Sequence, residues 1–392
     1  MPCSKTRWKP ATASSNPAPN RASAGASART NSRSSALADR VLRVATVGQG
    51  FMGRAHSNAF RQAGHFYDLP VRLDLRLLCG RDQARLDEMA ARYGWAATAT
   101  DWRAAVERPD IDVVDIAVPN NMHAEVAIAA ARAGKIVWCE KPLAVNAEES
   151  ARMVEAARGV PTMVWFNYRR LPAVVLTRRL IDEGRIGQVF HYRALYLQEW
   201  GADPTRPPNW KTDRAVAGSG VLGDLLSHSI DLALMLNGAI RDVAALQHTF
   251  AGGRAVDDAT LVLARFANGS LGSFEATRYA TGCKNHNSFQ IHGSRGAVRF
   301  NLEDLNRLDF ADAAESRDLQ GFRSILVNAP QFWKPGHVIG YEHTFIAAVA
   351  DFLSAWSRGG EFHPDFRDAH EVQRVLAAVE RSAASGSATT AV

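Results

Sequence analysis

Two short segments carry side chains whose types and spacing suit the removal of a proton from a hydroxyl group. Asp224 and His228 are four residues apart, so on a helix the two side chains share one face. Histidine titrates near neutrality and is the most frequent general base. Glu140-Lys141-Pro142 adds an ammonium group that can stabilise an oxygen gaining negative charge. Taken singly, each segment also fits a structural role: a capping aspartate, a core histidine and a surface lysine.

The elements that must position these side chains can be read from the flanking residues. Apolar spacing predicts a helix over Val221–Leu236, which carries Asp224, His228 and, one turn further on, Asp231. A polar stripe in so apolar a helix requires partners or a cavity. Lys141 follows a predicted strand, Ile136–Cys139, and so lies at the edge where parallel sheets bind ligands.

A glycine motif lies near the start of the predicted ordered chain. Gly48-x-Gly50-x-x-Gly53, with Phe51 and Met52 between the last two glycines, joins the predicted strand Val41–Val47 to a helical stretch. In this context the first glycine allows a tight turn, the second lets backbone N–H groups approach a pyrophosphate, and the third allows close helix–strand packing. The helix N-terminus also favours an anion. The motif predicts a dinucleotide site.

The end of the second predicted strand leaves the choice between NAD and NADP open. Cys79-Gly80-Arg81-Asp82 has glycine where an acidic residue would bind the ribose 2′-hydroxyl of NAD. Arg81 suits a 2′-phosphate or can stack on adenine. Asp82 fits equally well as a helix N-cap.

Strands and helices alternate in the first half of the chain, which is typical of a parallel, doubly wound sheet. After Tyr168 a Gly/Pro/Trp-rich loop, 201–220, and a cluster of strands follow, and Asn268-Gly269 marks a hairpin. We therefore predict an α/β protein, with a Rossmann domain and a C-terminal α+β domain whose large open sheet is mainly antiparallel. The predicted boundaries are a disordered tail, 1–40, a dinucleotide-binding domain, 41–167, and a domain for substrate binding and oligomerisation, 168–392.

Charge is concentrated in the tail. The 392-residue chain has a net charge of +6, and residues 1–40 account for all of it, which leaves a neutral body with no sign of a nucleic-acid partner. The tail fits a solvated extension, an early start codon or, loosely, a transit peptide. No apolar run approaches the ~18 residues of a membrane span. The four cysteines form no C-x-x-C pair, so we expect buried thiols in a cytoplasmic protein and no metal.

Taken together, these motifs resemble the Gfo/Idh/MocA oxidoreductase family over roughly residues 41–385. The resemblance rests on the glycine motif, Pro119-Asn120-Asn121-Met122-His123, Glu140-Lys141-Pro142 and Asp224-x-x-x-His228. It implies that Lys141, Asp224 and His228 are catalytic, and that Asn120, His123, Glu140 and Lys141 surround the cofactor. It also implies a homo-oligomer, a dimer or tetramer, built through the second sheet.

Further segments resemble the levoglucosan dehydrogenase branch of that family, including 166–173, 196–200, 217–220 and 340–343. That branch oxidises a ring hydroxyl of a pyranose, so a sugar or polyol is the expected partner. Aromatic faces and amides suit a sugar, and four residues are candidate contacts: Tyr168, Gln198, Trp200 and Trp210. Two alternatives stay open: an enzyme that holds and recycles its NAD internally, as a hydrolase or aldose oxidoreductase, and a sensor of sugars or nucleotides without turnover.

Overall fold

A computed structural model describes residues 40–203, 205 and 207–392, and the expected disordered tail lies outside these residues except for Arg40. The first half forms a six-stranded sheet in the order β3-β2-β1-β4-β5-β6, and every neighbouring pair is parallel. The strands are β1 (Val41–Val47), β2 (Arg72–Cys79), β3 (Thr98–Ala99), β4 (Val113–Ile116), β5 (Ile136–Cys139) and β6 (Thr162–Val164). Strands are added toward one edge of the sheet from β1 to β3 and toward the other edge from β4 to β6. Such folds bind ligands between β1 and β4, at the carboxyl ends of the strands.

The helices of this half alternate with its strands, as the sequence predicts. They are α1 (Phe51–Phe66), α2 (Gln83–Tyr93), α3 (Arg103–Glu107), α4 (His123–Arg132) and α5 (Ala147–Ala156). Asp82 caps α2 by accepting a hydrogen bond from the Arg85 N–H, so its ordinary structural role is realised. The first turn of α1 contains no acidic side chain, which leaves its N-terminus suited to an anion.

A nine-stranded sheet forms the second half, in the order β14-β13-β12-β11-β7-β10-β9-β8-β15. Its strands are β7 (Val189–Leu197), β8 (Ile240–His248), β9 (Ala259–Phe266), β10 (Leu271–Thr277), β11 (His286–Gly293), β12 (Gly296–Asn301), β13 (Arg307–Asp312), β14 (Arg323–Leu326) and β15 (Thr390–Ala391). The expected antiparallel pairing holds except between β7 and β10, which are parallel. The long helical connection between β7 and β8 makes that parallel pairing possible.

The helices of the second half are α6 (Pro172–Asp182), α7 (Arg214–Ala217), α8 (Ser227–Asn237), α9 (Glu342–Ser357) and α10 (Phe366–Ala384). A π-helical turn, Leu222–Leu226, leads directly into α8, so the helix predicted over Val221–Leu236 forms without a break but has π-type hydrogen bonds in its first turn. The stretch Arg214–Asn237 reaches the length and mean hydropathy of a membrane span, which we did not expect of any segment. However, 78% of its apolar window is buried inside the fold, as in a core helix.

The core has two parts. One cluster of buried residues covers one face of the parallel sheet and continues between the second sheet and helices α8 and α10. The other cluster lies on the opposite face of the parallel sheet and includes Val44, Trp138 and Trp165. Helix α9 packs against α1 and adds Phe345 and Phe352 to this second cluster. The chain therefore returns near its C-terminus to cover the parallel sheet, which fixes the two sheets relative to each other.

Candidate active site

The glycine loop has the shape of a dinucleotide cradle. Gly48 has a φ of 136°, and a Cβ there would overlap the backbone of Ala117, at the end of β4. A Cβ at Gly53 would overlap the carbonyl of Gly48, whereas one at Gly50 would meet nothing within 4 Å. The contacts at Gly48 and Gly53 therefore require glycine, whereas Gly50 leaves open space for a ligand. This space belongs to a cavity of about 590 Å³ that Phe51 and Met52 also line.

The end of β2 closes one side of this cavity and carries no free acidic residue. The Gln49 side chain lies against Gly80, where a Cβ would overlap it, and accepts a hydrogen bond of 3.1 Å from the Asp82 N–H. Asp82 is engaged as the cap of α2. Arg81 and Arg85 both line the cavity. Two guanidinium groups therefore border the position at which an NAD-specific site would have a carboxylate.

A carboxylate shared by three cations lies at the inner end of the cavity. Asp224 contacts the Lys211 ammonium at 3.0 Å through both oxygens, Lys141 at 3.4 Å and Arg278 at 3.1 Å. Burial alone would raise the pKa of Asp224, but the three cations hold it well below its usual range. Burial lowers the pKa of Lys141, although Asp224 opposes that shift. Lys141, Lys211, Arg278 and Asp224 thus form a compact charged cluster at the inner end of the cavity.

The π-helical turn has a direct effect on this cluster. Lys141 Nζ donates a hydrogen bond of 2.8 Å to the backbone carbonyl of Asp224, which lies within the turn. Turns of this kind disturb the regular helical hydrogen bonds and occur often at functional sites. Lys141, from the parallel sheet, is thereby fixed to the helix that carries Asp224 and His228.

The start of that helix is held by an aspartate on the loop between β8 and β9. Asp257 accepts hydrogen bonds from the N–H groups of Gly220 at 2.6 Å and Leu222 at 2.8 Å, and from the Thr260 hydroxyl at 2.8 Å. A Cβ at Gly220 would overlap the Asp257 backbone, so only glycine permits this approach. The cap orients the helix before its first functional residue.

His228 lies in an apolar and aromatic surrounding. Its ring centroid is 4.5 Å from that of Tyr168 and 5.8 Å from that of Phe166, in an edge contact. Its Nδ1 is buried and has no hydrogen-bond partner among the described residues. Burial, together with the positive charges of Lys141 and Lys211, holds the pKa of His228 well below its usual range. The imidazole is therefore neutral at pH 7 and able to accept a proton.

A second cavity, of about 470 Å³, meets the first at this point. It is lined by aromatic, amide and charged side chains, among them Tyr168, Tyr196, Gln198, Asn285, His228, Glu303 and Tyr341. Six residues line both cavities: Phe51, Met52, Glu140, Lys141, Lys211 and Asp224. Lys141 and Asp224 therefore lie where the two spaces join, and His228 faces the second space only.

Hydrogen bonds connect the polar side chains of the second cavity. Asn285 Oδ1 accepts from the Tyr196 hydroxyl at 2.9 Å and from Gln198 Nε2 at 2.8 Å. The hydroxyls of Tyr196 and Tyr168 are 3.1 Å apart. Two of the expected sugar contacts, Tyr168 and Gln198, thus belong to one fixed polar wall.

The two expected tryptophan contacts lie elsewhere. Trp210 lines the first cavity and not the second, because the loop that carries it crosses the cofactor side of the cleft. Trp200 lines neither cavity. Its indole N–H donates to Gln198 at 2.7 Å and its ring lies 4.6 Å from the Arg278 guanidinium, so Trp200 supports the wall from behind. The structure therefore places neither tryptophan on the wall of the second cavity.

Of the residues expected around the cofactor, Asn120 and Glu140 line the first cavity, but His123 does not. Both ring nitrogens of His123 are 3.0 Å from backbone carbonyls, those of Pro142 and Val118, and the ring is fully buried. Its place is behind the cavity wall, where it joins the segments after β4 and β5. Asn120 donates to the carbonyl of Ala217 at 2.9 Å and so links the two halves.

A buried network behind Glu140 was not predicted from the sequence. His56, on α1, lies 3.0 Å from Asp115 and 3.0 Å from Glu140. Burial alone would lower the pKa of His56, but these carboxylates raise it to about 9. Glu140 in turn accepts from the backbone N–H of Lys141 at 3.0 Å. Lys211, Arg278 and Asn285 were missed as well, because they lie in loops or at a strand end without a recognisable pattern.

Comparisons with known proteins agree with this architecture. Residues 42–168 match the family model of an oxidoreductase family with an NAD-binding Rossmann fold, and residues 174–299 match the Gfo/Idh/MocA C-terminal domain. The chain belongs to this family of NAD-binding oxidoreductases.

Its relatives include named sugar and polyol dehydrogenases. Levoglucosan dehydrogenase of Pseudarthrobacter phenanthrenivorans is 40% identical over 88% of this chain and 97% of its own length. Inositol 2-dehydrogenase of Rhizobium meliloti is 27% identical over 88% and 97% of the two chains. Among solved structures, levoglucosan dehydrogenase in complex with NADH and levoglucosan has a TM-score of 0.88 at 40% identity, covering 90% of this chain and 99% of that one. An oxidoreductase domain protein from Kribbella flavida has a TM-score of 0.87 at 45% identity, with the same coverage.

Proposed function

We propose that this protein is an NAD(P)-dependent dehydrogenase that oxidises a secondary hydroxyl of a sugar or polyol. The observation that carries the proposal is that Lys141 and Asp224 lie where a dinucleotide cavity meets a second cavity, and that His228 lines the second cavity beside them. A pyranose or anhydrosugar is the substrate class we favour. The levoglucosan-bound relative supports this choice, as does the wall of tyrosine and amide groups in the second cavity.

Each residue of the trio has a separate task in this proposal. The neutral imidazole of His228 accepts the hydroxyl proton. The Lys141 ammonium donates a hydrogen bond to the same oxygen and stabilises the negative charge that develops there. Asp224 holds Lys141 in place through its carboxylate and its carbonyl. The bound nicotinamide supplies the hydride acceptor in the oxidative direction.

The proposed cofactor contacts follow the walls of the first cavity. The backbone around Gly50 and the N-terminus of α1 bind the pyrophosphate. Phe51, Met52 and Trp210 line this cavity and would contact a bound dinucleotide, and Asn120 and Glu140 would contact its nicotinamide half. Arg81 and Arg85 also line the cavity and would meet the adenosine ribose, where a guanidinium suits the 2′-phosphate of NADP.

The decisive experiment is a screen of sugars and polyols against NAD and NADP, followed by the absorbance of the reduced nicotinamide. We expect turnover of levoglucosan or another pyranose by the wild type and none by Lys141→Met. Absence of turnover with every sugar and polyol, in a protein that binds cofactor, would overturn the proposal. In that case two measurements separate the alternatives. Stoichiometric NAD in the purified protein would indicate internal recycling, and sugar binding without turnover would indicate a sensor.

We also propose that the enzyme is a cytoplasmic homo-oligomer, a dimer or tetramer. Cys79 and Cys139 are buried free thiols, which is consistent with a reducing compartment. Large apolar side chains are exposed on the outer face of the second sheet, among them Leu246, Leu261, Leu263 and Leu271. A second copy of the chain would cover them.

A further inference from the structure

Lys211 lies at the centre of the site, yet it has no task in the proton transfer assigned to His228, Lys141 and Asp224. It lies on the loop between β7 and α7, in a short 3-10 turn capped by Asn209, whose side chain accepts from the Lys211 N–H at 2.9 Å. It lines both cavities, as do Lys141 and Asp224. Its side chain is 38% exposed, more than that of Lys141 at 15%, so it can meet an incoming molecule.

The geometry pairs Lys211 with Lys141. Both ammonium groups lie within 3.4 Å of the same oxygen, Asp224 Oδ1. An ammonium group has three hydrogen-bond donors, and the two oxygens of Asp224 take two of those on Lys211. Among the described residues, Lys211 Nζ donates only to these two oxygens, so its third donor can meet a ligand. Asp224, by contrast, is surrounded by three cations and is poorly placed to be the main contact of a substrate hydroxyl.

We propose that Lys211 binds the oxygen next to the reacting hydroxyl, so that the enzyme requires a vicinal diol. This inference rests on the proposed function and narrows its substrate class. Because both ammonium groups contact one carboxylate oxygen, they lie close enough together for two neighbouring oxygens of one sugar ring to reach one each. Lys141 holds the oxygen that loses its proton to His228, and Lys211 holds its neighbour. Lys211 gives up no proton and stays an ammonium throughout.

The test compares wild type and Lys211→Met on levoglucosan and on its three monodeoxy derivatives, each lacking one hydroxyl. The derivative without the reacting hydroxyl is not oxidised by either protein. For the wild type, loss of a neighbouring hydroxyl that Lys211 binds lowers kcat/KM by about 10- to 100-fold, as expected for a hydrogen bond to a charged group. Lys211→Met loses a similar factor on levoglucosan itself. The variant then distinguishes little between levoglucosan and that derivative, because the partner of the hydroxyl is already gone.

Two controls keep the result interpretable. Lys334→Met, at an exposed lysine outside both cavities, should match the wild type on every substrate. Lys211→Arg should retain part of the discrimination, since a guanidinium also donates to an oxygen. If another pyranose is the better substrate in the screen, its own monodeoxy series is used.

The outcomes separate the inference from the proposed function. If Lys211→Met and the deoxy substitution lower kcat/KM by independent factors that multiply, Lys211 merely holds Asp224 and the inference is overturned while the dehydrogenase stands. If the wild type turns over the two derivatives that retain the reacting hydroxyl as fast as levoglucosan itself, the inference is also overturned. Lack of any wild-type turnover would instead remove the proposed function.

Discussion

Asp224 shows how burial and charge act together on single residues. Its carboxylate is stable in a buried position only because Lys141, Lys211 and Arg278 surround it. Burial lowers the pKa of the nearby His228, and Lys141 and Lys211 lower it further, although Asp224 opposes that shift. Burial and this charge cluster together therefore maintain an ionised carboxylate and a neutral imidazole, which are the protonation states that the oxidation requires.

Replacement of His228 by asparagine tests its role as the proton acceptor. We expect kcat in the oxidative direction to fall by ~10²–10⁴-fold, the usual effect of removing a general base. Cofactor affinity, measured by quenching of tryptophan fluorescence, should stay near that of the wild type because His228 does not line the first cavity. His65→Asn, at an exposed histidine of α1, is the matched control. Near-normal kcat in folded His228→Asn would remove the residue from the mechanism.

The pH dependence of kcat/KM should be bell-shaped, with its acid and alkaline limbs both at lower pH than free histidine and lysine side chains would give. Because the pKa of His228 is lowered, its neutral form persists below the ordinary histidine value of about 6.5, and activity falls only at more acid pH. Because the pKa of Lys141 is lowered, its ammonium is lost before the ordinary lysine value of about 10.4 as the pH rises. An acid limb centred at or above about 6.5 would contradict the first assignment.

Arg81 is the residue to test for cofactor choice. If its guanidinium meets the 2′-phosphate, Arg81→Ala should weaken NADP binding by ~10-fold or more and leave NAD binding nearly unchanged. Dissociation constants of both reduced cofactors, measured by fluorescence titration, give the answer. Arg92→Ala, at an exposed arginine near the end of α2, serves as the control. Equal small changes for both cofactors would show that Arg81 plays no part in the choice.

The sequence predicted the glycine loop and the trio because each lies in a short motif with a defined element on either side. It could not place Trp210, since the position of a loop residue depends on the path of the whole loop. Lys211 and Arg278 are ordinary cations in the sequence, and only folding brings them to Asp224 from positions 13 and 54 residues away. His123 was assigned to the cofactor by motif, yet its ring bonds to backbone behind the cavity.

Among the elements, the helix from Leu222 to Asn237 controls the geometry of the site most directly. The sequence predicted its extent to within a few residues, because its apolar spacing is strong. The π-helical turn could not be foreseen, since the residues of Leu222–Leu226 also fit a regular helix. The parallel pairing of β7 and β10 was likewise missed, because local patterns carry no information on which distant strands become neighbours.

The cap at the start of this helix offers a test at the same scale. Asp257→Ala removes an acceptor from the buried N–H groups of Gly220 and Leu222, and we expect a loss of about 1–3 kcal/mol in the free energy of unfolding. Asp101→Ala, at the exposed acceptor for the N–H of Arg103, should cost much less, since water can replace it. Urea unfolding of both variants checks the difference. Equal losses would show that burial of the cap is unimportant.

At the scale of the whole molecule, the site depends on contacts between the two sheets. Lys141 follows β5 of the parallel sheet, whereas Asp224 and His228 precede or lie in α8, which packs on the second sheet. Helix α9 returns from the second half to α1, and Asn120 bonds to Ala217 across the cleft. These links hold Lys141 close to Asp224 and His228, where the two cavities meet. The domain boundary near residue 167 stays a prediction from the sequence.

The outer face of the second sheet carries large apolar side chains that stay exposed in the part of the chain that the structure describes. Leu246, Leu261, Leu263 and Leu271 lie on the adjacent strands β8, β9 and β10, and their side chains are 49–66% exposed. In β9, Leu261 and Leu263 alternate with the buried Thr260, Val262 and Ala264. One face of the strand therefore packs against the core, and the opposite face is exposed. Apolar patches of this kind mark interfaces. We expect a dimer or tetramer that buries this face.

Substitution of one exposed leucine by lysine tests that assembly. In a symmetric interface each copy contributes the same patch, so Leu263→Lys would bury two unpaired charges for every dimer and should shift the protein to a monomer. Val338→Lys, at an equally exposed apolar residue outside the sheet, is the matched control and should leave the oligomer intact. Sedimentation velocity at micromolar concentration measures both variants and the wild type. A monomeric wild type would contradict the prediction outright, and an oligomer unchanged in Leu263→Lys would place the interface elsewhere on the molecule.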